Sequence, residues 1–214
     1  MTDPSPPLPA DVRELAMFPL GSTVFPSQVV PLHIFEERYR QLMTDLTGPD
    51  GEGTFAIVLI DRGQEVGASD TGVLVATRVE ILQSEEFDDG RWGVVTAGVE
   101  RVTIHEWLEV DPYPRALVSS RPVVDDGGGS LADLQVLLIE TLTEAAAQAG
   151  AELPEDLGFS QDPHQLLDQL SAVSPLIEFD RQQVLEAQTT SGQMAKLRDA
   201  LEGKLVLLRA MKDE

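Results

Sequence analysis

The sequence changes its hydrophobic period once, and that change limits the folds open to it. Up to Val118 the apolar residues come in short runs broken by turn signals; past the stretch VVDDGGGS, residues 123–130, they recur at helical spacing. Runs of four to eight residues suit strands, whereas recurrence at i, i+3 and i+4 suits helices. Three consecutive glycines between the two regimes favour neither and read as a flexible joint. The expected fold class is therefore α+β: a tail at 1–13, a sheet domain at 14–122, a Gly-rich linker at 123–130 and an all-α helical bundle at 131–214.

In the first part, TFAIVLI at 54–60 is a nearly continuous apolar run and reads as a buried strand. Val73, Val75, Thr77, Val79 and Ile81 alternate with more mixed neighbours. Asp88-Asp89-Gly90 reads as a turn before a strand that begins near Trp92. Further on, Val102, Ile104 and Leu108 are expected on one strand face, with Arg101, Thr103, His105 and Trp107 on the other. Residues 113–118 close the series. One helix interrupts it, with Phe35, Tyr39, Leu42, Met43 and Leu46 on a single stripe and Gly48-Pro49 as its stop. Short strands with one inserted helix point to a strongly bent sheet or a barrel.

In the second part, Ser130 with Asp133 resembles a capping box ahead of Leu134, Leu138 and Leu142. Asp162-Pro163 places an N-cap before a proline at the first helical position. Ser174-Pro175 repeats that start signal. A last helix is expected from about Ser191, with Met194, Leu197, Leu201, Leu205 and Leu208 on one stripe.

Charge narrows the function. The formal net charge is −22, and each half carries −11: 9 basic and 20 acidic residues up to position 122, then 6 and 17. A nucleic-acid binder needs cations to displace counterions from phosphates, so nucleic acid is not expected as a partner. There is no cysteine, which excludes disulfides, thiol catalysis and thiolate metal sites and fits a reducing, cytoplasmic setting. No apolar stretch approaches the ~20 residues of a membrane span, and MTDPSPPLPA at the start lacks the pattern of a secretion signal.

The proline-rich apolar stretch at 18–39 carries a family resemblance. FPL at 18–20, Pro26 and PLHIFEERY at 31–39 are similar to the N-terminal substrate-recognition domain of the ATP-dependent Lon protease. FAIVLI at 55–60, Gly98 with Arg101 and Ile104, DPYPRA at 111–116 and PLIEFDRQQVLEAQTT at 175–190 follow in the family's order. The resemblance runs from about residue 14 to 212 and implies a PUA-like β-barrel with one inserted helix, followed by a helical bundle. It implies a non-catalytic module that binds unfolded or peptide segments of other proteins, as an adaptor or regulator in protein quality control beside a separate protease. It covers the recognition module alone, so a standalone member without the ATPase and peptidase domains is expected. No G-x-x-x-x-G-K-[ST] phosphate loop and no serine–lysine region of the protease type is found. Gln193-Met194 stands where the family usually has an arginine.

For a binding site, Trp107 is the first candidate, as a large aromatic residue on the strand face expected to be polar, with Phe25 in the proline-flanked loop and Trp92 past a turn beside it. Aromatic side chains supply large contact area at low entropic cost. His33, His105 and His164 lie in three different elements, so no metal, cofactor or catalytic residue is assigned. Two other readings stand: an RNA-binding PUA-like module, which would need a basic face, and a hydrolase, which would need convergent His and acid side chains.

Overall fold

The computed structural model describes residues 8–60, 73–154 and 157–212. Of the tail expected at 1–13, residues 1–7 lie outside this set, and Arg13 already opens the first strand. The chain divides into two compact units. One comprises Met1–Val24 with Val29–Arg121; the other comprises Phe25–Gln28 with Pro122–Glu214.

The first unit holds β1 (Arg13–Leu20), β2 (Val29–Ile34), α1 (Glu37–Thr47), β3 (Thr54–Leu59), β4 (Val75–Glu86), β5 (Trp92–Trp107) and β6 (Arg115–Ser120). They form one mixed sheet in the order β2-β5-β4-β3-β1-β6, and β6 also pairs with β5. Among the described strands only β1 and β3 run parallel. A parallel pair needs a crossover, and β2 with α1 supplies it. Phe18, Leu32, Ile34, Phe55, Ile57, Val79, Trp92 and Val94 pack with Tyr39, Leu42 and Met43 of α1. Leu15, Met17, Ala56, Val58, Ala76, Val102, Ile104, Ala116 and Val118 form a second cluster. Phe55 and Ile57 thus enter one cluster while Ala56 and Val58 enter the other. A strand buried on both faces has no wet side to alternate with, which explains the continuous apolar run. Each such large side chain contributes about 1.5–3 kcal/mol before entropy.

The second unit carries α2 (Ala132–Ala149), α3 (Pro163–Val173), α4 (Glu178–Leu185) and α5 (Thr190–Lys212), with a single bridge between Val124 and Thr189. The Asp162 side chain accepts from the His164 and Gln165 amides, as its sequence position leads one to expect of an N-cap. Met194, Leu197, Leu201, Leu205 and Leu208 are all buried along α5. At the level of a mixed sheet with an inserted helix followed by helices, the expected fold class is observed.

Three local expectations are corrected. Phe35 is not on the buried stripe of α1. It precedes the helix, whose N-cap is Glu36, and continues the outward alternation of β2 through Val29, Pro31 and His33. Trp107 does not share a face with Thr103 and His105. The β5–β6 register shifts between Ile104 and Glu106, and the extra residue returns Trp107 to the side of Val102 and Ile104, opposite Ala116. Finally, α4 does not start at Ser174-Pro175 but at Glu178, because Ser174 closes α3 instead: its hydroxyl donates to the Ser171 carbonyl at 2.7 Å.

Candidate functional site

Among the described residues of the first unit, the exposed phenylalanines Phe35 and Phe87 stand beside β2 and on the β4–β5 hairpin. β2 is terminal in the strand order, and its outward residues Val29, Pro31 and His33 are exposed. Proline cannot donate to a ladder and is tolerated at such a position. Phe35 extends the row and is 65% exposed. On the neighbouring strands, His33 pairs with Gly93 and Gly93 with Glu85, so the three share one sheet face. Gly93 leaves a gap in that row, and Phe87 fills it: a Cβ on Gly93 would come within 3.1 Å of the Phe87 ring. The Phe87 ring centroid lies 6.4 Å from that of His33, and the Phe35 centroid lies 6.3 Å from it, both edge-on. Phe87 itself is 40% exposed. Edge-on pairs of this kind hold rings in place without hiding them.

The hairpin tip is fixed. Phe87 and Gly90 are bridged by the Gly90 amide donating to the Phe87 carbonyl at 2.8 Å, and Gly90 has φ +76. Arg40 of α1 donates through Nε to the Gly90 carbonyl at 2.5 Å. A side chain at Gly90 would collide with the Arg40 guanidinium, with its Cβ 1.9 Å from Nη2. Glycine is required here by the backbone, and a side chain would in addition have to displace the Arg40 guanidinium. At the start of α1, Arg38 lies 4.8 Å over the buried Tyr39 ring while pairing with Glu36 at 2.9 Å. Burial pushes the Tyr39 phenol up to about 12, against the opposing pull of Arg38.

Charges around the aromatic row are unequal. Arg38 pairs with Glu36, Arg40 with Glu37, and Arg91 with Asp89. The Arg91 backbone N–H donates to Asp89 and, with the guanidinium, holds that carboxyl below its ordinary value. Glu85 and Asp88, on either side of Phe87 in sequence, engage no ion pair or side-chain hydrogen bond among the described residues.

The three residues singled out from the sequence are placed elsewhere. Phe25 is 0% exposed and sits in the helical unit, with the Arg181 guanidinium 5.3 Å over its ring. Trp92 is 9% exposed within the core under α1. Trp107 is half-buried against the second sheet cluster. Trp92 and Trp107 thus pack in different clusters of the first unit, and Phe25 belongs to the other unit. Phe35 and Phe87 were missed because Phe35 fits the helical stripe and Phe87 follows two acids; the outward alternation 29, 31, 33, 35 was the available signal.

The histidines do not converge. His33 belongs to the aromatic row, His105 Nε2 lies 2.8 Å from the Ser119 hydroxyl, and His164 lies 3.9 Å from Asp125. Among the described residues no group of three His, Asp or Glu is placed to hold a metal ion, and no described helix is long and apolar enough to cross a membrane.

The helical unit has its own groove, of about 540 Å³, between the start of α4 and α5. Leu176, Ile177, Ala200, Gly203 and Leu207 form its apolar lining, with Asp180, Asp199, Lys196 and Lys204 around them. Deeper in this unit, Gln193 is buried, and its Nε2 donates to Asp168 Oδ1 at 3.0 Å.

Comparison with known proteins agrees with the resemblance in the sequence. Lon protease 2 of Herpetosiphon aurantiacus is 26% identical over 208 residues, covering 93% of this chain and 25% of that protein. Lon protease of Koribacter versatilis is 24% identical over 204 residues, covering 92% and 25%. The chain thus spans about a quarter of the length of the curated relatives it matches. In fold it is similar to a Lon N-terminal domain protein from Xanthomonas campestris, with TM-score 0.62 and 20% identity over 87% of this chain and 98% of that one. It is also similar to the N-terminal domain of a Mycobacterium avium complex Lon protease, with TM-score 0.60 and 17% identity over 89% and 98%. The substrate-binding domain of the ATP-dependent protease La (LON) matches residues 14–203, and the chain belongs to that family.

Proposed function

We propose that this protein is a recognition module that binds exposed apolar segments of other proteins, making and breaking no covalent bond, and that it serves proteolysis as an adaptor or regulator. In this reading the six-stranded sheet is a PUA-like barrel wall, the domain boundary falls at 123–130, and the protein works in the reducing cytoplasm. Family membership supports the recognition role. The observation that carries the site is the row Phe35–His33–Phe87 on the outer face of β2 and the β4–β5 hairpin. Phe87 is carried by a fixed hairpin, and both phenylalanines stand in solvent. Large aromatic side chains exposed side by side are the usual anchors of protein contacts.

The test is binding of a reduced, alkylated protein that stays unfolded, read by fluorescence anisotropy against the same protein in its folded form. The unfolded form binds and the folded form does not, and the double variant Phe35→Ala/Phe87→Ala weakens binding about thirtyfold, the loss expected of two truncated contact residues at about 1 kcal/mol each. Equal binding by the double variant would refute the site; absence of binding to any unfolded protein would refute the function.

A further inference from the structure

We infer that the preferred occupant of this surface is an extended segment that carries lysine or arginine beside its apolar residues. This rests on the recognition reading above and adds the chemistry of the substrate. The surface presents apolar contact through Val29, Pro31, Phe35 and Phe87, all exposed. Around it every arginine is already spent on a carboxylate: Arg38 on Glu36, Arg40 on Glu37, Arg91 on Asp89. Three carboxylates next to Phe87 remain over, and one of them, Glu86, pairs in register with the core residue Trp92 and so lies on the opposite sheet face. Glu85 stands in the same cross-strand row as His33, with Gly93 between, and Asp88 follows Phe87 in the turn. Residues before and after Phe87 in the chain therefore carry unmatched negative charge. A bound segment that covers Phe87 takes Glu85 and Asp88 into its own neighbourhood. If that segment is neutral, both carboxylates lose water without gaining a partner. If it is acidic, they are also repelled. A cation one or two residues from the apolar contact matches them both.

The segment is extended because its platform is. The outward residues Val29, Pro31, His33 and Phe35 repeat every second position along a terminal strand, the spacing at which an extended chain presents its own alternate side chains. The general field of a −22 protein also attracts cations, so specific and diffuse attraction must be separated. Removing two charges changes the total little but removes the unmatched pair entirely.

The experiment uses three fluorescent peptides that share one Phe- and Leu-containing sequence and differ only at two flanking positions, occupied by Lys, Gln or Glu. Each is titrated into the wild-type protein, the variant Glu85→Gln/Asp88→Asn and the variant Phe35→Ala/Phe87→Ala, with thermal melts by circular dichroism to establish that the variants are folded. The Lys peptide is expected to bind wild type about fivefold more tightly than the Gln peptide at low salt, as two solvent-exposed ion pairs allow. That gap closes in about 1 M salt, where the screening length falls to ~3 Å. It also closes in Glu85→Gln/Asp88→Asn, while the Gln peptide keeps its affinity. Equal binding of Lys and Gln peptides to wild type would overturn the inference and leave the recognition reading standing. So would a gap that survives in Glu85→Gln/Asp88→Asn, which would assign it to the overall field. Binding of no peptide, or binding unaffected by Phe35→Ala/Phe87→Ala in a folded protein, would instead overturn the recognition reading at this surface.

Discussion

Arg181→Met tests how the helical unit is held together. Arg181 sits near the start of α4, is 7% exposed, and sends Nη1 to the carbonyls of Ser171, Ala172 and Ser174 at 3.3, 2.9 and 3.3 Å. These carbonyls belong to the end of α3, where a helix leaves acceptors without intrahelical donors. The guanidinium also lies 3.4 Å from the Glu178 carboxylate and 5.3 Å over Phe25. Burial pushes its pKa below the ordinary arginine value, and Glu178 pulls the other way. One nitrogen has two hydrogens for three acceptors, so the set is worth about two charged hydrogen bonds, roughly 1.5–3 kcal/mol each. The cation over the ring adds about 1 kcal/mol. Against this stands the cost of keeping a guanidinium out of water, several kcal/mol, which methionine abolishes. The net expected loss is about 3 kcal/mol, because the Ala172 and Ser174 carbonyls lose this donor, while Ser171 keeps the Ser174 hydroxyl. Urea unfolding followed by far-ultraviolet circular dichroism measures it. Arg181→Lys, which keeps the charge but not the fork, should lose less. A loss under about 1 kcal/mol for Arg181→Met would show that the carbonyls do not depend on this donor, and the reasoning would fail.

Two further outcomes follow from single positions. Gly203 lies inside α5 and a Cβ there meets nothing within 4 Å, so Gly203→Ala should stabilise the protein by about 0.5–1 kcal/mol in the same urea assay, through helix propensity alone. Glu100 accepts from Arg13, Arg78 and Ser120 at 2.6, 2.6 and 2.8 Å; burial raises its pKa, but these partners outweigh burial and hold it below its ordinary value of 4.5. A carboxylate depressed in the folded state adds stability above its unfolded pKa and loses it as pH falls through the folded one. Glu100→Gln should therefore flatten the decline in stability below about pH 4.5 and cost under ~1 kcal/mol at neutral pH, because the pairs are partly exposed.

Much of this molecule was legible where local chemistry decides the outcome. The Asp162-Pro163 start of α3 and the buried stripe of α5 follow from capping and periodicity, which involve only neighbours in the chain. The uninterrupted apolar run of β3 likewise announces burial on both faces. The site was harder to read for physical reasons. Phe35 satisfies the helical stripe of α1 and the outward alternation of β2 equally well, and only the point where the strand ends separates the two. Trp107 changes side because of one extra residue in β5, and a bulge is set by the partner strand rather than by the bulged one. Phe25 stands in a short turn closed by Gln28, whose side chain accepts from the Phe25 amide at 3.0 Å. Its burial depends on Arg181, far along the chain, and no local pattern carries that.

The claim on which the function rests is that another protein's chain lies against the outer face of β2 and the β4–β5 hairpin. Amide chemical-shift mapping of the isotope-labelled protein, titrated with an unfolded protein, tests it directly. Shifts should concentrate in residues 29–37 and 85–93, with the aromatic resonances of Phe35 and Phe87 among the most affected. Shifts confined to the α4–α5 groove at 176–207, or none at saturation, would contradict it.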